Sequence, residues 1–552
     1  MKIILILLLT FFALNATQMD DNKLKKQIGR MLLVGFPNED INPSSQIVKD
    51  IQKYDLGGVI LFDKFYDDRS RTKNISSPNQ VQRLTRKLQM FTHKELFIAI
   101  DQEGGKVARL KPKYGFTETP SALEVSKLWP QEAKKIYEKQ SYMLKQAGIN
   151  LNFAPVVDLS VNPNNKVIVG LERSYGSDPK VVSSFAKIMI NEQQKRGITS
   201  VLKHFPGHGS SLGDSHKGFV DITKTWSPKE LEPYQELIDE NAVDMIMTAH
   251  VFNKAMDQKY PATLSYRVNS EILRGKMRYN GLIISDDMQM KAISEHYSTK
   301  EAVTLAIDAG VDILLFGNQL AEISVKELVD TIFMQVKNGS IPMNRIIESN
   351  QRIENLHTKN SIIQKPIIFT DKRKEMTREY IKTHYGLKVR DIKIKPKMIV
   401  LHWTAVMDFD DCFKRLNSEE LYSDRGDIAS ASALNVSAHF LVARDGTIYQ
   451  LMPDNWMARH VIGLNYSTIG IENVGGEGNS KDDLTDAQLQ ANIKLVKYLK
   501  AKYPTIKDII GHHEYREYEN SPLWLEKDDG YRTIKADPGE RFVNAVKAGL
   551  NE

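Results

Sequence analysis

Eight short apolar runs, separated by longer stretches with helical spacing, constrain this chain more than any other feature. They are Met31 to Gly35, Gly58 to Phe62, Leu96 to Ile100, Leu151 to Val157, Ser200 to His204, Met245 to Thr248, Leu282 to Ser285 and Val311 to Phe316. Such runs read as strands buried on both faces, and each parallel strand needs a crossover, usually a helix, to bring the chain back. A doubly wound sheet gives the same alternation. The count of eight favours a (β/α)8 barrel, so the expected class is α/β, with a TIM barrel over residues 20–360.

Polar groups fall where these runs end. Asp101 and Glu103 follow the third run, Asp158 the fourth, Lys203 and His204 close the fifth, His250 follows the sixth, Asp286 and Asp287 the seventh, and Asn318 the eighth. In a barrel those ends converge on one face, so residues far apart in sequence become neighbours there. The densest group is Lys203-His204-Phe205-Pro206-Gly207-His208-Gly209, followed by Asp214, Ser215 and His216. Its proline and glycines cannot continue a strand, which places the titratable groups on a loop.

Cleaving a glycosidic bond with retention requires a nucleophile on one side of the anomeric carbon and a proton donor on the other. Asp286 can be the nucleophile, although chemistry alone does not separate it from Asp287. His216 can be the donor, because Asp214 two residues away can hold its ring in one tautomer and orientation. Asp101, Arg173, Lys203 and His204 are then expected to bind sugar hydroxyls and the acyl amide. A histidine donor also leaves room for anionic phosphate, so phosphorolysis is the competing reaction.

Residues from about 25 to 360 resemble the glycoside hydrolase family 3 β-N-acetylglucosaminidases. The resemblance is carried by Ile100-Asp101-Gln102-Glu103-Gly104-Gly105, Lys203 to Gly209, Asp214-Ser215-His216 and Ser285-Asp286-Asp287-Met288. It implies removal of a nonreducing β-linked N-acetylglucosamine from muropeptides or other wall fragments. It also implies Asp286 as nucleophile, Asp287 as structural, and Asp214 with His216 as the acid/base dyad.

A length of 552 residues exceeds one domain, and the pattern changes after the barrel. The lysine-rich segment 361–390 reads as a connection and lead-in, and residues 391–552 as a mixed α/β domain. Met398 to Trp403 and Ile469 to Val474 read as strands, and Ser437 to Ala443 with Thr447 to Met452 as a hairpin. Thr485 and Gln488 form a capping-box pair that opens a helix. His402, His512 and Asp537 offer two imidazoles and a carboxylate, the ligand set of a catalytic zinc with one open position. Glu472 can take a proton from water, and Lys535 can stabilise an oxyanion.

Residues from about 372 to 545 resemble the zinc-dependent N-acetylmuramoyl-L-alanine amidases, which share a fold with peptidoglycan recognition proteins. The motifs are Val400-Leu401-His402-Trp403-Thr404, Ser437-Ala438-His439-Phe440, Ile469-Gly470-Ile471-Glu472, and Gly511-His512 with Lys535 to Gly539. The resemblance implies Zn2+ on His402, His512 and Asp537, with His439 and His513 not ligands. A long insertion between His512 and Asp537, containing Trp524 and Tyr531, is expected either to border the substrate groove or to form a longer surface loop.

Met1 and Lys2 precede an apolar run from Ile3 to Leu14, too short to span a bilayer and of the length of a signal-peptide core. Residues 1–16 are therefore read as a signal peptide directing export to the periplasm or cell envelope. Ala13 and Ala16 allow cleavage while Leu14 interrupts the small-residue pattern, so a cleaved leader and an uncleaved anchor both stay open. A net charge of +6 is small for this length and implies no nucleic acid partner. Cys412 is the single cysteine, so no intrachain disulfide forms. The expectation is an exported bifunctional hydrolase of peptidoglycan fragments, with no stable membrane span after signal cleavage. A noncatalytic wall-binding scaffold is the alternative of a different class.

Overall fold

All eight apolar runs become parallel strands in the structure, a computed structural model that describes residues 20–92 and 94–550. The leader expected over residues 1–16 lies outside the described residues. The strands are β1 (Leu32–Gly35), β2 (Gly58–Ile60), β3 (Phe97–Ile100), β4 (Leu151–Asn152), β5 (Thr199–Phe205), β6 (Met245–Thr248), β7 (Leu282–Ser285) and β8 (Leu314–Phe316). Their order in the sheet is β8-β1-β2-β3-β4-β5-β6-β7. A parallel bridge between Ile284 and Ile313 joins the two end strands, and the Ser285 N–H donates to Ile313 O at 3.0 Å. Closure removes the open sheet edge, and every residue of these strands is buried.

The crossover helices carry the start signals that the chemistry of helix ends requires. Ser77, Asp178 and Ser298 accept backbone N–H groups at their N-caps, and Pro78 and Pro179 follow two of them at the first helical position. The N-terminal end of the barrel is locked by charge. Asp312, fully buried just before β8, accepts from Arg274 at 2.6 Å, Arg352 at 3.0 Å and the Ser349 hydroxyl at 2.9 Å. Charges at this end hold the strands in place; the opposite face is left to chemistry.

The chain divides into two compact units at residues 356 and 357, within the helix Met343–Ser361. The second unit is built on a mixed six-stranded sheet. Its strands are β9 (Ile363–Gln364), β10 (Met398–Trp403), β11 (Phe440–Val442), β12 (Ile448–Gln450), β13 (Thr468–Asn473) and β14 (Asp508–Gly511), ordered β9-β12-β11-β13-β10-β14. Alternation along β10 sends Ile399, Leu401 and Trp403 into one core with the helices Asp486–Lys502 and Glu540–Gly549. Met398 and Val400 go to the opposite face, where they pack with Tyr380, Ile381 and Tyr385. His402 shares that second face by the same period of two.

One expectation changes here, and one pair of alternatives is decided. The segment 361–390, read as a connection, supplies β9 and the helix Asp371–Tyr385, which buries Arg373, Thr377, Tyr380, Ile381, His384 and Tyr385. The stripe has helical spacing but few aliphatic residues, so lysines on the other face mask it. Arg373 is fully buried because backbone carbonyls receive it, among them Ile368 O at 3.0 Å and Leu416 O at 3.2 Å. The insertion borders the cavity of the second unit: Tyr531 lines a small pocket with Arg425, His512 and Lys535, and those three residues also line that cavity. Tyr531 is buried and its hydroxyl accepts from Arg459 at 3.0 Å, while Trp524 stacks on Tyr515 with ring centroids 6.1 Å apart.

His384 ties these segments together. Its Nδ1 meets the Glu526 carboxylate at 2.9 Å and its Nε2 meets Ala431 O at 3.0 Å. Both partners accept, so the arrangement is complete when both ring nitrogens carry hydrogen, as they do in the imidazolium. Burial opposes that charge, but Glu526 and the Ala431 carbonyl outweigh it and hold the His384 pKa above the ordinary imidazole value. A pKa raised in the folded state gives stability that is complete below the unfolded value of about 6.5 and fades as pH rises through the folded one. Amide exchange in 371–385 is therefore expected to quicken as pH is raised through that window, beyond the intrinsic pH effect on exchange. His384→Gln should flatten the dependence and lower stability at low pH by about 3 kcal/mol, the scale of a broken buried pair. A wild-type profile already flat after that correction would rule the clasp out.

Candidate active sites

At the C-terminal face of the barrel a cavity of about 500 Å³ is lined by Asp101, Arg173, Lys203, His204, Asp214, His216, Asp286 and Asp287. Residues spanning most of the barrel's sequence thus share one pocket. Asp286 is the first residue beyond β7, anchored by its N–H to Thr248 O at 3.1 Å. Burial works against its charge, but His250, His204 and His216 together with the Asp287 N–H keep its carboxyl below the ordinary range. Asp287 differs. Burial pushes it up to about 6, against backbone donors from Gln289 and Gly317, and the charge of Asp286 adds to the rise. Two adjacent carboxyls are driven apart by environment, one kept ionised and one held as part of the frame.

His216 sits half-exposed on the loop after β5, with Nδ1 2.9 Å from Asp214 Oδ1, and its own N–H donates to the same oxygen at 3.0 Å. The remaining ring nitrogen is not used by that pair. Deeper in the pocket the four residues expected to bind sugar are bound to one another. Lys203 Nζ lies 2.9 Å from Asp101 and 2.7 Å from Glu103, and Arg173 makes two 2.7 Å bonds to Glu103. Arg173 also donates to His204 Nε2 at 3.2 Å, and His204 Nδ1–H donates to Asp158 at 2.7 Å. Both nitrogens of His204 are thus engaged. Burial disfavours the Asp101 carboxylate, yet Lys203 and Arg109 outweigh it and hold the group well below its usual range. Glu103, Asp158 and Arg109 belong to this network. The first two stand at strand ends in the sequence, which signals the face but not the pairing, and nothing in the sequence marks Arg109.

In the second unit a cavity of about 670 Å³ is lined by His402, Glu472, His512, Lys535 and Asp537, together with Trp403, Arg425 and Asp427. The register pairs His402 on β10 with Glu472 on β13, on the face turned away from the helix Asp486–Lys502. His512 begins the turn after β14. His402 Nδ1 is 3.0 Å from His512 Nδ1 and 3.2 Å from Asp537 Oδ2, and His512 Nδ1 is 3.0 Å from the same oxygen. Lys535 Nζ stands 4.0 Å from Asp427. His439 faces elsewhere, accepting from the Gly470 N–H at 2.9 Å and donating to Trp456 O at 2.7 Å. His513 is turned to the Asp537 carbonyl.

Residues 23–356 match the family model described as the glycosyl hydrolase family 3 N terminal domain. The chain belongs to glycosyl hydrolase family 3. Residues 393–540 of the same chain match the N-acetylmuramoyl-L-alanine amidase model. Over 288 residues this family 3 chain is 35% identical to beta-hexosaminidase A of Pseudoalteromonas piscicida, covering 48% of this chain and 46% of that protein. It therefore spans less than half of that relative. Over 321 residues it is 32% identical to a beta-hexosaminidase of Hydrogenovibrio crunogenus, covering 56% of this chain and 81% of the relative. A family 3 beta-N-acetylglucosaminidase structure from Paenibacillus sp. is similar at a TM-score of 0.56 and 26% identity, covering 88% of this chain and 84% of that one.

The second pocket of this family 3 chain fits a metal ion. Three ligand atoms, two imidazole nitrogens and a carboxylate oxygen, lie within 4.8 Å of one another on buried residues. Glu472 Oε2 is buried beside them without a hydrogen-bond partner. Burial, and then the charge of Asp537, push the Glu472 carboxyl well above its usual range, a cost that a nearby cation would relieve. Among the described residues no helix is long and apolar enough to cross a membrane.

Proposed function

We propose that this family 3 protein is an exported hydrolase that cuts peptidoglycan fragments at two bonds. One is the β-glycosidic link after a nonreducing N-acetylglucosamine, and the other is the amide between N-acetylmuramic acid and L-alanine. The observation that carries the reading is the presence on one chain of two pockets with different chemistry, Asp286 with His216 in one and a buried His, His, Asp centre in the other. The hexosaminidase names of the relatives and the amidase match point the same way.

In the barrel, a carboxylate oxygen of Asp286 attacks the anomeric carbon. The bond from that carbon to the leaving oxygen breaks as His216 gives its proton to that oxygen. Water then attacks the same carbon, His216 takes the water proton, and the Asp286 carboxylate is released, so configuration is retained. Asp214 holds the His216 ring for both transfers. Lys203, Arg173, Asp101 and His204 form the stiff pocket floor that orients the sugar, with His204 acting through its neighbours.

In the second unit His402, His512 and Asp537 would hold Zn2+, which supplies a Lewis acid that polarises the carbonyl and acidifies water. Glu472 takes the proton from the attacking water and passes it to the departing alanine nitrogen. Lys535 lies at the same cavity, where its charge can stabilise the oxyanion of the tetrahedral state. The test is digestion of a purified disaccharide-peptide muropeptide by the full chain. Free N-acetylglucosamine and free stem peptide are both expected, with a chelator stopping only the second. If phosphate buffer yields a sugar phosphate in place of free sugar, the barrel is a phosphorylase. If neither product forms with zinc present, the chain is not a hydrolase of this polymer.

A further inference from the structure

The geometry points to His460 as a positioning residue: it fixes which ring nitrogen of His402 is left bare, and Thr468 fixes His460 in turn. His402 turns Nδ1 to His512 and Asp537 and places Nε2 3.0 Å from Nδ1 of His460. Two neutral imidazoles meeting at that distance share one hydrogen, so one nitrogen donates and the other accepts. The choice is made one contact further out. His460 Nε2 lies 3.1 Å from Thr468 Oγ1, and the Thr468 hydroxyl gives its own proton to Leu464 O at 3.0 Å. His460 Nε2 therefore carries the ring hydrogen and its Nδ1 is a lone pair. His402 donates Nε2–H into that lone pair, which leaves His402 Nδ1 bare; in the absence of metal the hydrogen of the trio then sits on His512 Nδ1, 3.0 Å from both His402 Nδ1 and Asp537 Oδ2.

The relay is built, not incidental. The His460 and Val461 N–H groups both donate to Asn465 Oδ1 at 2.8 Å, and Asn465 Nδ2 donates to the Tyr385 hydroxyl at 2.9 Å. His402 and His460 cross at 85° with centroids 5.1 Å apart. The ring also lies against Gly470 of β13, where an added Cβ would stand 2.7 Å from its Cγ. A glycine between Ile469 and Ile471 is poor strand chemistry unless something must approach the backbone closely, and His460 does. A ligating histidine needs its coordinating nitrogen unprotonated and its ring fixed through the other one. Positioning by His460 thus rests on the zinc reading of the centre for its purpose, but not for its geometry.

Zinc dissociation constants of the full chain, measured by competition with a chromogenic chelator, test this. His460→Phe should bind zinc about 10–100-fold more weakly. His460→Asn, whose Oδ1 falls near the place of Nδ1, should keep the wild-type value. Thr468→Val should fall between, and carries the affinity test if His460→Phe does not fold. A second readout needs no metal. In the zinc-free chain labelled with 15N-histidine, the His402 ring, assigned by its loss in His402→Ala, should be the Nε2–H tautomer. Wild-type affinity in a folded His460→Phe or in Thr468→Val, or hydrogen on Nδ1 of His402, overturns the proposal. A wild-type chain that takes up no zinc overturns the metal reading instead, and the tautomer alone then decides on His460.

Discussion

Asp286→Asn is expected to slow release of N-acetylglucosamine by about 10³-fold or more, the scale on which loss of a nucleophile is felt, while peptide release continues unchanged. Asparagine has the same shape and can still accept the Asp287 N–H at 2.8 Å, so the pocket should keep its form. What disappears is the negative oxygen that the surrounding histidines hold ionised. Asp287→Asn is the contrasting variant. Asp287 Oδ1 accepts from the Gln289 N–H at 3.1 Å and the Gly317 N–H at 3.2 Å, and an amide oxygen can keep both bonds. Its loss of activity should be far smaller. The two carboxyls are separated further by rescue. Azide should restore turnover to Asp286→Ala by attacking the vacated face of the anomeric carbon, giving an inverted glycosyl azide. Full activity in Asp286→Asn, or azide rescue of Asp287→Ala alone, would move the nucleophile to the neighbouring position.

The barrel was legible because buried parallel strands leave an unmistakable trace, and Met245–Thr248 and Leu282–Ser285 lie where the apolar runs place them. Strand ends then located the face on which Asp101, Lys203 and Asp286 meet. The pairing within that face was not legible. Glu103 takes both Arg173 and Lys203, and no periodicity records which cation reaches which carboxylate across about seventy positions or more. The same holds in the second unit. His402 and Glu472 stand in register on one face because side chains alternate, but the helix Asp371–Tyr385 behind that face buries Arg373 and His384. Both look like surface residues until their partners, backbone carbonyls and Glu526, are known. Trp524 and Tyr531 illustrate the reverse case. Aromatics in an insertion near a site invite a role in recognition, yet Tyr531 serves to receive the buried Arg459 guanidinium.

Glu472→Gln should leave zinc bound in full and slow release of the stem peptide by about 10²–10⁴-fold, the range of a lost general base. In the proposed reaction, holding the metal and transferring the proton fall to different residues. His402, His512 and Asp537 put their ligand atoms together, and Asp537→Ala removes the only negative one, so that variant should lose metal and activity at once. Glu472 is not among those atoms. Its Oε2 is buried without a partner, a costly arrangement unless the oxygen meets water or substrate during the reaction. Glutamine keeps the volume and the place opposite His402 but cannot accept a proton at the pH of the assay. The pH profile of peptide release should therefore lose its acidic limb in Glu472→Gln, while that of sugar release, which we assign to Asp286 and His216, should stay as in the wild type. Loss of zinc from Glu472→Gln would make Glu472 a holder of the metal, and unchanged peptide release would pass the proton to another group.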